Sequence, residues 1–456
     1  MNAQQISKGA TVKQHTTRTM NYRAINTLKP ANRNPRTHSR KQIRQIADSI
    51  KRFGFTNPVL IDDDGGIVAG HGRVAAAKLL GLDTVPVVPL GDLSAKERQA
   101  YALADNKLAL NAGWDQDLLA VEFQELIDAG FELELTGFSL AEIDFSLDLA
   151  TENRPGADDP AADRIPEIGQ IAASRAGDLW QLGRHRLLCG DAREAGHYAL
   201  LMQGDDAGMI FTDPPYNVPI DGHVSGLGRV RHREFAMGVG EMAEDAFIGF
   251  LGCALTNMAA RCRDGAILYV CMDWRHMGEL LAAGRQAGLE MKNLCIWNKS
   301  NGGMGSFYRS KHELIFAFKH GTAPHVNSFG LGDTGRYRTN VWDYPGISSI
   351  GPSRAAEQAM HPTVKPVALV ADAIRDCSRR GDIVLDPFAG SGTTLIAAQM
   401  TGRAARLIEY DPFYCDTIIR RFETFAGKRA VLAETGQPFE AVSVERANAP
   451  APVVAS

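Results

Sequence analysis

The 456-residue sequence predicts an open α/β sheet with helices on both faces over residues 171–436, preceded by a smaller α+β unit over residues 21–149. Three observations predict it. Apolar strand candidates alternate with helical stretches through the C-terminal part. Ahead of it, helical spacing mixes with short β-like runs. Between them, residues 150–165 (ATENRPGADDPAADRI) lose all periodicity, and a linker is read over 150–170.

Taken in chain order, residues 1–20 are polar and aperiodic and read as a flexible tail. Ile43, Ile46, Ile50 and Phe53 share a helix face, which Gly54 ends. Residues 58–61 and 66–69 are β-like runs joined by the turn Asp62-Asp63-Asp64-Gly65. Gly70-His71-Gly72-Arg73 opens a second helix ending at Gly81, and residues 85–88 form another strand. Residues 94–110 and 115–129 read as helices. Beyond the linker, strands are expected at 207–212, 266–272, 294–298, 313–318, 382–385 and 406–408. Residues 437–456, rich in Ala, Pro and Val, read as a second flexible tail.

Composition narrows the class. No apolar run approaches the roughly 18–20 residues of a membrane span, and the N-terminus lacks the order of a signal peptide. Seven scattered cysteines without a CxxC pair read as reduced, cytosolic thiols with no zinc site. Residues 1–60 hold twelve Lys or Arg and the single acid Asp48, whereas 114–165 hold fourteen acids with only Arg154 and Arg164. A basic head beside an acidic middle points to phosphate contact at the head.

The most specific signal is Asp213-Pro214-Pro215-Tyr216, directly after the apolar run 208–211, where a parallel strand would end and an α/β sheet places its ligands. An aromatic amine is a poor nucleophile because its lone pair is delocalised into the ring. A carboxylate and a backbone carbonyl that each accept one N–H localise that lone pair. Asp213 supplies the carboxylate, and Pro214 a carbonyl on a stiff backbone. Tyr216 offers a face for an extruded base, worth about 1–3 kcal/mol. Without chemistry, Pro-Pro-Tyr would merely end the strand in a rigid turn.

The second signal is the run Asp386-Pro387-Phe388-Ala389-Gly390-Ser391-Gly392-Thr393-Thr394, a strand–glycine loop–helix unit suited to an adenosine-bearing cofactor. It lacks the lysine of a triphosphate loop. Glu409 ends the next strand, at a spacing suited to ribose hydroxyls. Asp386 is placed to meet the amino group of a methionine moiety.

With these motifs in that order, residues 177–427 resemble the DNA amino-methyltransferases in which the catalytic tetrapeptide precedes the S-adenosylmethionine (SAM) loop. The resemblance also rests on Leu188-Cys189-Gly190-Asp191-Ala192, on His361-Pro362-Thr363-Val364-Lys365-Pro366 and on Glu409-Tyr410-Asp411-Pro412. It implies a Rossmann-like sheet, SAM as cofactor and double-stranded DNA as substrate. It puts Asp191 near the adenine end of SAM, and Thr363 and Lys365 near the methionine end. It implies direct in-line transfer without a metal or a covalent intermediate. Asp at the head of the tetrapeptide favours adenine N6. Cytosine N4 stays open as an alternative, as does RNA or a protein glutamine. No Pro-Cys dipeptide serves carbon-5 cytosine chemistry.

Residues 21–110 resemble the ParB-like N-terminal domain, through Leu28-Lys29-Pro30, Asn34-Pro35-Arg36, the helix at 43–53, residues 58–61 and residues 67–73. The resemblance implies a DNA-binding or positioning accessory, and a ParB-like DNA-binding factor with an inactive methyltransferase part is the rival reading. His71 and Gly72 replace a charged pair that handles a nucleoside triphosphate in partition proteins. The turn could otherwise leave Arg73 simply exposed. Residues 226–235 (GLGRVRHREF) read as a mobile loop over DNA. Between 297 and 345, basic and aromatic residues (Lys299, Tyr308, Arg309, Lys311, Arg336, Tyr337, Arg338, Trp342) suit a target-reading insertion, while Phe316 and Phe318 read as core. A homodimer is compatible with the sequence, as is a restriction–modification setting.

Overall fold

The computed structural model describes residues 18–31, 34–149, 162–218, 240–300, 308–328, 338–346 and 364–448. Two compact units divide the chain, residues 1–139 and 140–456.

In the first unit β1 (Asn21–Ala24), α1 (Arg40–Phe53), β2 (Val59–Ile61), β3 (Ile67–Ala69), α2 (His71–Leu79), β4 (Thr84–Pro89), α3 (Ala95–Ala109) and α4 (Gln116–Asp128) follow in order. These strands form one sheet in the order β1-β4-β2-β3. Gly54 ends its helix as expected, and local side chains cap the helix starts. The Ser39 hydroxyl accepts from Gln42 N at 3.1 Å, and Gly54 ends α1 at φ +79°. Ser94 and Glu97 form a capping box on α3, and Asp115 caps α4. The acidic turn closes on itself, since Asp62 Oδ1 accepts from Asp64 N at 3.0 Å and Gly66 N at 2.6 Å. Ile25, Leu28, Val59, Ile61, Ile67, Val74, Ala77, Val85 and Val87 make the core. Gly70, at φ +103°, precedes α2, and Arg73 donates to the carbonyls of Asn57 at 2.9 Å and Pro58 at 2.8 Å. Arg73 is thus tied to the backbone rather than left exposed. A cleft of about 150 Å³ opens beside it, lined among others by Asn34, His38, His71, Asp105 and Asn106.

The second unit begins with α5 (Leu140–Leu149), then β5 (Leu179–Leu182), β6 (His185–Cys189), α6 (Ala195–Met202), β7 (Ala207–Thr212), α7 (Glu244–Ala259) and β8 (Cys262–Met272). It continues with α8 (Met277–Gln286), β9 (Glu290–Asn298), β10 (His312–Lys319), β11 (Val341–Asp343), α9 (Val367–Cys377), β12 (Ile383–Asp386), α10 (Thr393–Thr401), β13 (Ala404–Glu409), α11 (Pro412–Ala426), β14 (Val431–Leu432) and α12 (Phe439–Asn448). Among the described residues ten strands form one sheet, ordered β11-β9-β10-β8-β7-β12-β13-β6-β5-β14. Its centre, β8-β7-β12-β13-β6, is parallel, and antiparallel strands flank it. Because side chains alternate across a strand, Met209 and Phe211 join the core on one face while Ile210 joins the other. Both faces are therefore apolar, as buried parallel strands require.

Three features depart from the sequence reading. The helix at 140–149 belongs to the second unit, where the Asp144 carboxylate meets Arg403 at 3.0 Å and Arg380 at 3.2 Å. Burial works against the charge of Asp144, but the two guanidinium groups outweigh it and hold the acid below its usual range. The end of the proposed linker is packed. Ala162 is buried and its carbonyl accepts from Arg421 at 2.8 Å, and Asp163 Oδ1 accepts from Val367 N at 2.9 Å. Residues 439–448 are helical rather than a frayed tail, with Phe439 and Val442 buried and Phe439 edge-on to Trp180 at 5.4 Å. The β5–β6 hairpin also escaped the sequence reading, its strands being short and its loop only Gly183-Arg184.

Candidate active site

The tetrapeptide leaves the carboxyl end of β7, and the glycine loop leaves the carboxyl end of β12. These strands are hydrogen-bonded parallel neighbours, Ile210 opposite Leu385. Thr212, the last residue of β7, donates its hydroxyl to Asp386 Oδ1 at 2.8 Å. The two motifs, distant in sequence, thus meet at one sheet edge.

Asp386 is buried and accepts also from the Thr394 hydroxyl at 2.7 Å and from Phe388 N at 3.1 Å. Burial raises its carboxyl to about 6. Its contacts brace the loop from within. Gly390 at φ +53° and Gly392 at φ +83° occupy left-handed backbone, which only glycine adopts readily, and Gly392 caps α10. A Cβ on Gly392 would lie 3.1 Å from the Ile418 side chain. From behind, the fully enclosed Arg421 donates to the Ser391 carbonyl at 2.9 Å and reaches Thr393 Oγ1 at 3.4 Å. Ala389, Ser391 and Thr393 are accordingly buried. Phe388 is half-buried and packs against Phe250, ring centres 5.9 Å apart.

Glu409 ends β13. Its carboxylate accepts from Gly390 N and from Asp411 N, each at 2.8 Å, so it ties the glycine loop to the next turn. Burial pushes this acid up to about 8. Asp191 follows β6, which pairs with β13 at Cys189 and Glu409, so both acids sit at the same sheet edge. Burial opposes the charge on Asp191, but hydrogen bonds from Arg193, including one of 2.6 Å, outweigh it and lower its pKa.

At the tetrapeptide, Pro214 is buried, Pro215 and Tyr216 are half-buried, and the Asp213 side chain keeps 24% of its surface open. The Tyr216 hydroxyl donates to Asp213 Oδ1 at 2.5 Å. Lys365 Nζ donates to Asp213 Oδ2 at 2.5 Å and to the Tyr216 hydroxyl at 3.2 Å. The lysine side chain is only 3% exposed and also pairs with Glu313 at 2.9 Å. Glu313, on β10, is bound in turn by Lys299. Burial opposes the charge of Glu313, but Lys365 and Lys299 together hold it down to about 2. Asp213 shares one lysine and is raised, by burial first and then by the charge of Glu313.

The structure therefore brings Asp213, Tyr216 and Lys365 together, with Asp386 alongside, and gathers Gly390, Glu409 and Asp191 along the same edge. Thr363 and residues 226–235, Arg336 and Tyr337 lie outside the described residues. Several candidates for target reading prove structural. Lys299 serves Glu313, Trp342 is in the core, and Arg338 lies over its ring at 4.8 Å while pairing with Asp372 and Asp376. Phe316 and Phe318 are buried and stacked, as expected. Sequence reasoning gave no role to three residues. Glu313 looked like the start of an apolar strand, although an acid there is itself a signal. Arg421 is a buried charge on a helix whose buried residues also include Asp416 and Thr417. Asn217, at φ +54°, accepts from Gly240 N and Met242 N and donates to the Met242 carbonyl at 2.8 Å, pinning the turn.

Residues 207–420 match the DNA methylase family, residues 9–107 the ParB N-terminal domain and residues 117–176 the ParB-methyltransferase HTH domain. The chain is 53% identical over 78 residues to the ParB-like nuclease domain-containing protein YnaK of Escherichia coli K12, covering 17% of this chain and 90% of that protein. It is 25% identical over 232 residues to the type II methyltransferase M2.MboI of Moraxella bovis, covering 48% of this chain and 82% of the relative. Among solved structures, a DNA modification methylase from Thermus thermophilus complexed with S-adenosyl-L-methionine aligns with 53% of this chain and 94% of its own, at 24% identity and a TM-score of 0.36. The chain carries a DNA methylase domain of the N6/N4 family over residues 207–420, with ParB-type domains ahead of it in sequence.

Proposed function

We propose that the protein transfers a methyl group from S-adenosylmethionine to adenine N6 in double-stranded DNA. The observation that carries this reading is the hydrogen bond from Thr212 to Asp386, which sets the amine-gripping turn beside the loop suited to the donor. The residues present fit that cofactor. Gly390 and Gly392 let backbone approach a ligand closely, and Glu409 offers a buried acid for ribose hydroxyls. Phe388, Ala389, Ser391 and Thr393 shape the cradle, Asp191 serves the adenine end and Thr363 the methionine end, while the Lys365 ammonium, read from sequence as a second methionine contact, is held by Asp213 and Glu313. When bound, S-adenosylmethionine supplies a methyl carbon on a sulfonium, already activated for displacement.

The chain's own residues prepare the nucleophile. Asp213 and the Pro214 carbonyl each accept one N–H of a base amine, which localises the nitrogen lone pair. Tyr216 stacks on the base after it leaves the duplex. The amine nitrogen, held by Asp213 and the Pro214 carbonyl, would take the methyl group that the sulfonium donor supplies, the thioether being the leaving group. The surplus amine proton then leaves to solvent. Holding both partners at attack distance contributes to the rate by making the reaction effectively unimolecular. The ParB-type part would hold DNA near the methylase through its basic N-terminal segment, and the reading suits a restriction–modification setting.

Asp at the head of the tetrapeptide supports adenine, and cytosine N4 is the second reading. Duplex DNA and RNA incubated with a labelled methyl donor, followed by nucleoside analysis, decides between N6-methyladenine, N4-methylcytosine and RNA products. Asp213→Ala should abolish transfer while cofactor binding persists. Loss of cofactor binding in that variant would mean that the two sites are misassigned.

A further inference from the structure

The methyl-transfer chemistry needs one carboxylate, yet the structure holds two acids and two lysines in a row at the site. Lys299 binds Glu313, Glu313 pairs with Lys365 at 2.9 Å, and Lys365 grips Asp213 at 2.5 Å. Side-chain exposure falls to 12% for Glu313 and 3% for Lys365. The formal charges of the four cancel, so the row can be buried without a net charge. Burying an ion pair rarely stabilises a fold more than apolar packing would, which makes a positional purpose the better account.

Resting on the methyltransferase reading above, we propose that Glu313 is a positioning residue of the transfer site, dividing the charge of Lys365 with Asp213 so that Asp213 remains a strong acceptor for the base amine. An ammonium paired with Asp213 alone would draw on the lone pairs that the amine must reach. Glu313 takes part of that pull, and Lys299 keeps Glu313 ionised. The Tyr216 hydroxyl orients the other oxygen of Asp213 and lies 3.4 Å from Glu313, so one phenol touches both acids. The remaining titratable groups facing Asp213 are Cys271 on β8, whose thiol burial raises well above its usual range, and Asp386 at the end of β12.

The test compares wild type with Glu313→Gln and Lys299→Met across pH, at saturating cofactor and DNA so that cofactor binding drops out. In Glu313→Gln, kcat should fall by about 10- to 100-fold with cofactor affinity unchanged. Its acid limb should move to lower pH, because a negative charge beside Asp213 is gone. In Lys299→Met the limb should move to higher pH, because a positive charge is gone and Glu313 draws Lys365 away. Carbon-13 carboxyl shifts of Asp213 in the cofactor-free variants should move in the same two directions. Opposite shifts are what a purely structural role would not produce. An unchanged limb in both variants, or shifts of the same sign, overturns the role of Glu313 while the wild-type activity leaves the methyltransferase reading standing. A wild-type chain without methyl transfer overturns both.

Discussion

Replacing Lys365 with Met removes an ammonium of 3% exposure that sits 2.5 Å from one carboxylate and 2.9 Å from another. Breaking a buried pair on one side destabilises by about 3–5 kcal/mol. Two features reduce that figure here. Glu313 keeps Lys299, and Asp213, with 24% of its side chain open, can relieve the repulsion by taking a proton. We predict a net loss of about 2–3 kcal/mol at pH 8, at or below the lower end of that range. At about 2 °C per kcal/mol for a unit of this size, the melting point falls by roughly 4–6 °C. The sign with pH follows from Asp213. Without the lysine its folded pKa rises further above the unfolded value, so the folded state retains a proton that the unfolded state loses as pH rises. The deficit relative to wild type should therefore be larger at pH 8 than at pH 5. Thermal melts can follow the fluorescence of Trp180, Trp297 and Trp342, all buried in the second unit. A Trp114→Phe background removes the first unit's own signal. A deficit below about 0.5 kcal/mol, the level of an ordinary surface substitution, or one that grows on acidification, would refute the reasoning.

Two further outcomes follow from the same geometry. Glu409, at about 8 when folded, binds a proton that the unfolded chain releases near 4.5, so the cofactor-free protein is most stable below pH 4.5 on this account and loses stability as pH climbs toward 8. The slope approaches about 1.4 kcal/mol per pH unit, and Glu409→Gln should flatten it while weakening cofactor binding at least roughly tenfold. Denaturation at several pH values and calorimetry check both, and parallel slopes would count against the shift. Asn217→Ala removes three hydrogen bonds that pin residues 240–242 to the turn after Tyr216, and should destabilise by about 1–3 kcal/mol and lower kcat with cofactor affinity intact. An unchanged kcat in that variant would show that the turn holds its shape alone.

The strands that carry the two motifs were readable because parallel central strands are apolar throughout and their ends bear motifs. Residues 207–212 are β7 as expected, and 382–385 differ from β12 by one residue at each end. The helices read at 94–110 and 115–129 were legible for a local reason, since Ser94 and Asp115 at their starts supply their own caps. The role of Glu313 was not readable, because its partners come from residues 299 and 365, which only the tertiary fold brings to it. Lys365 was read as a cofactor contact, yet its ammonium lies on Asp213, a link that sequence spacing cannot encode. Phe439 and Val442 failed as signals because a lone apolar pair in an Ala-rich stretch looks like a tail until Trp180 is seen to face it. Arg338 and Trp342 misled in the opposite way, as residue types that suit DNA also suit a buried cation–ring stack.

Because β7 and β12 are hydrogen-bonded neighbours in one sheet, the strand ends that carry the tetrapeptide and the glycine loop are held at the ordinary strand spacing of about 4.8 Å by backbone pairing, not by helix packing or chain order. A gene cut between the two strands and rejoined in the opposite order would rebuild the same neighbours. The reaction centre is in this sense indifferent to permutation, and what evolution or an engineer must preserve is the pair of strands.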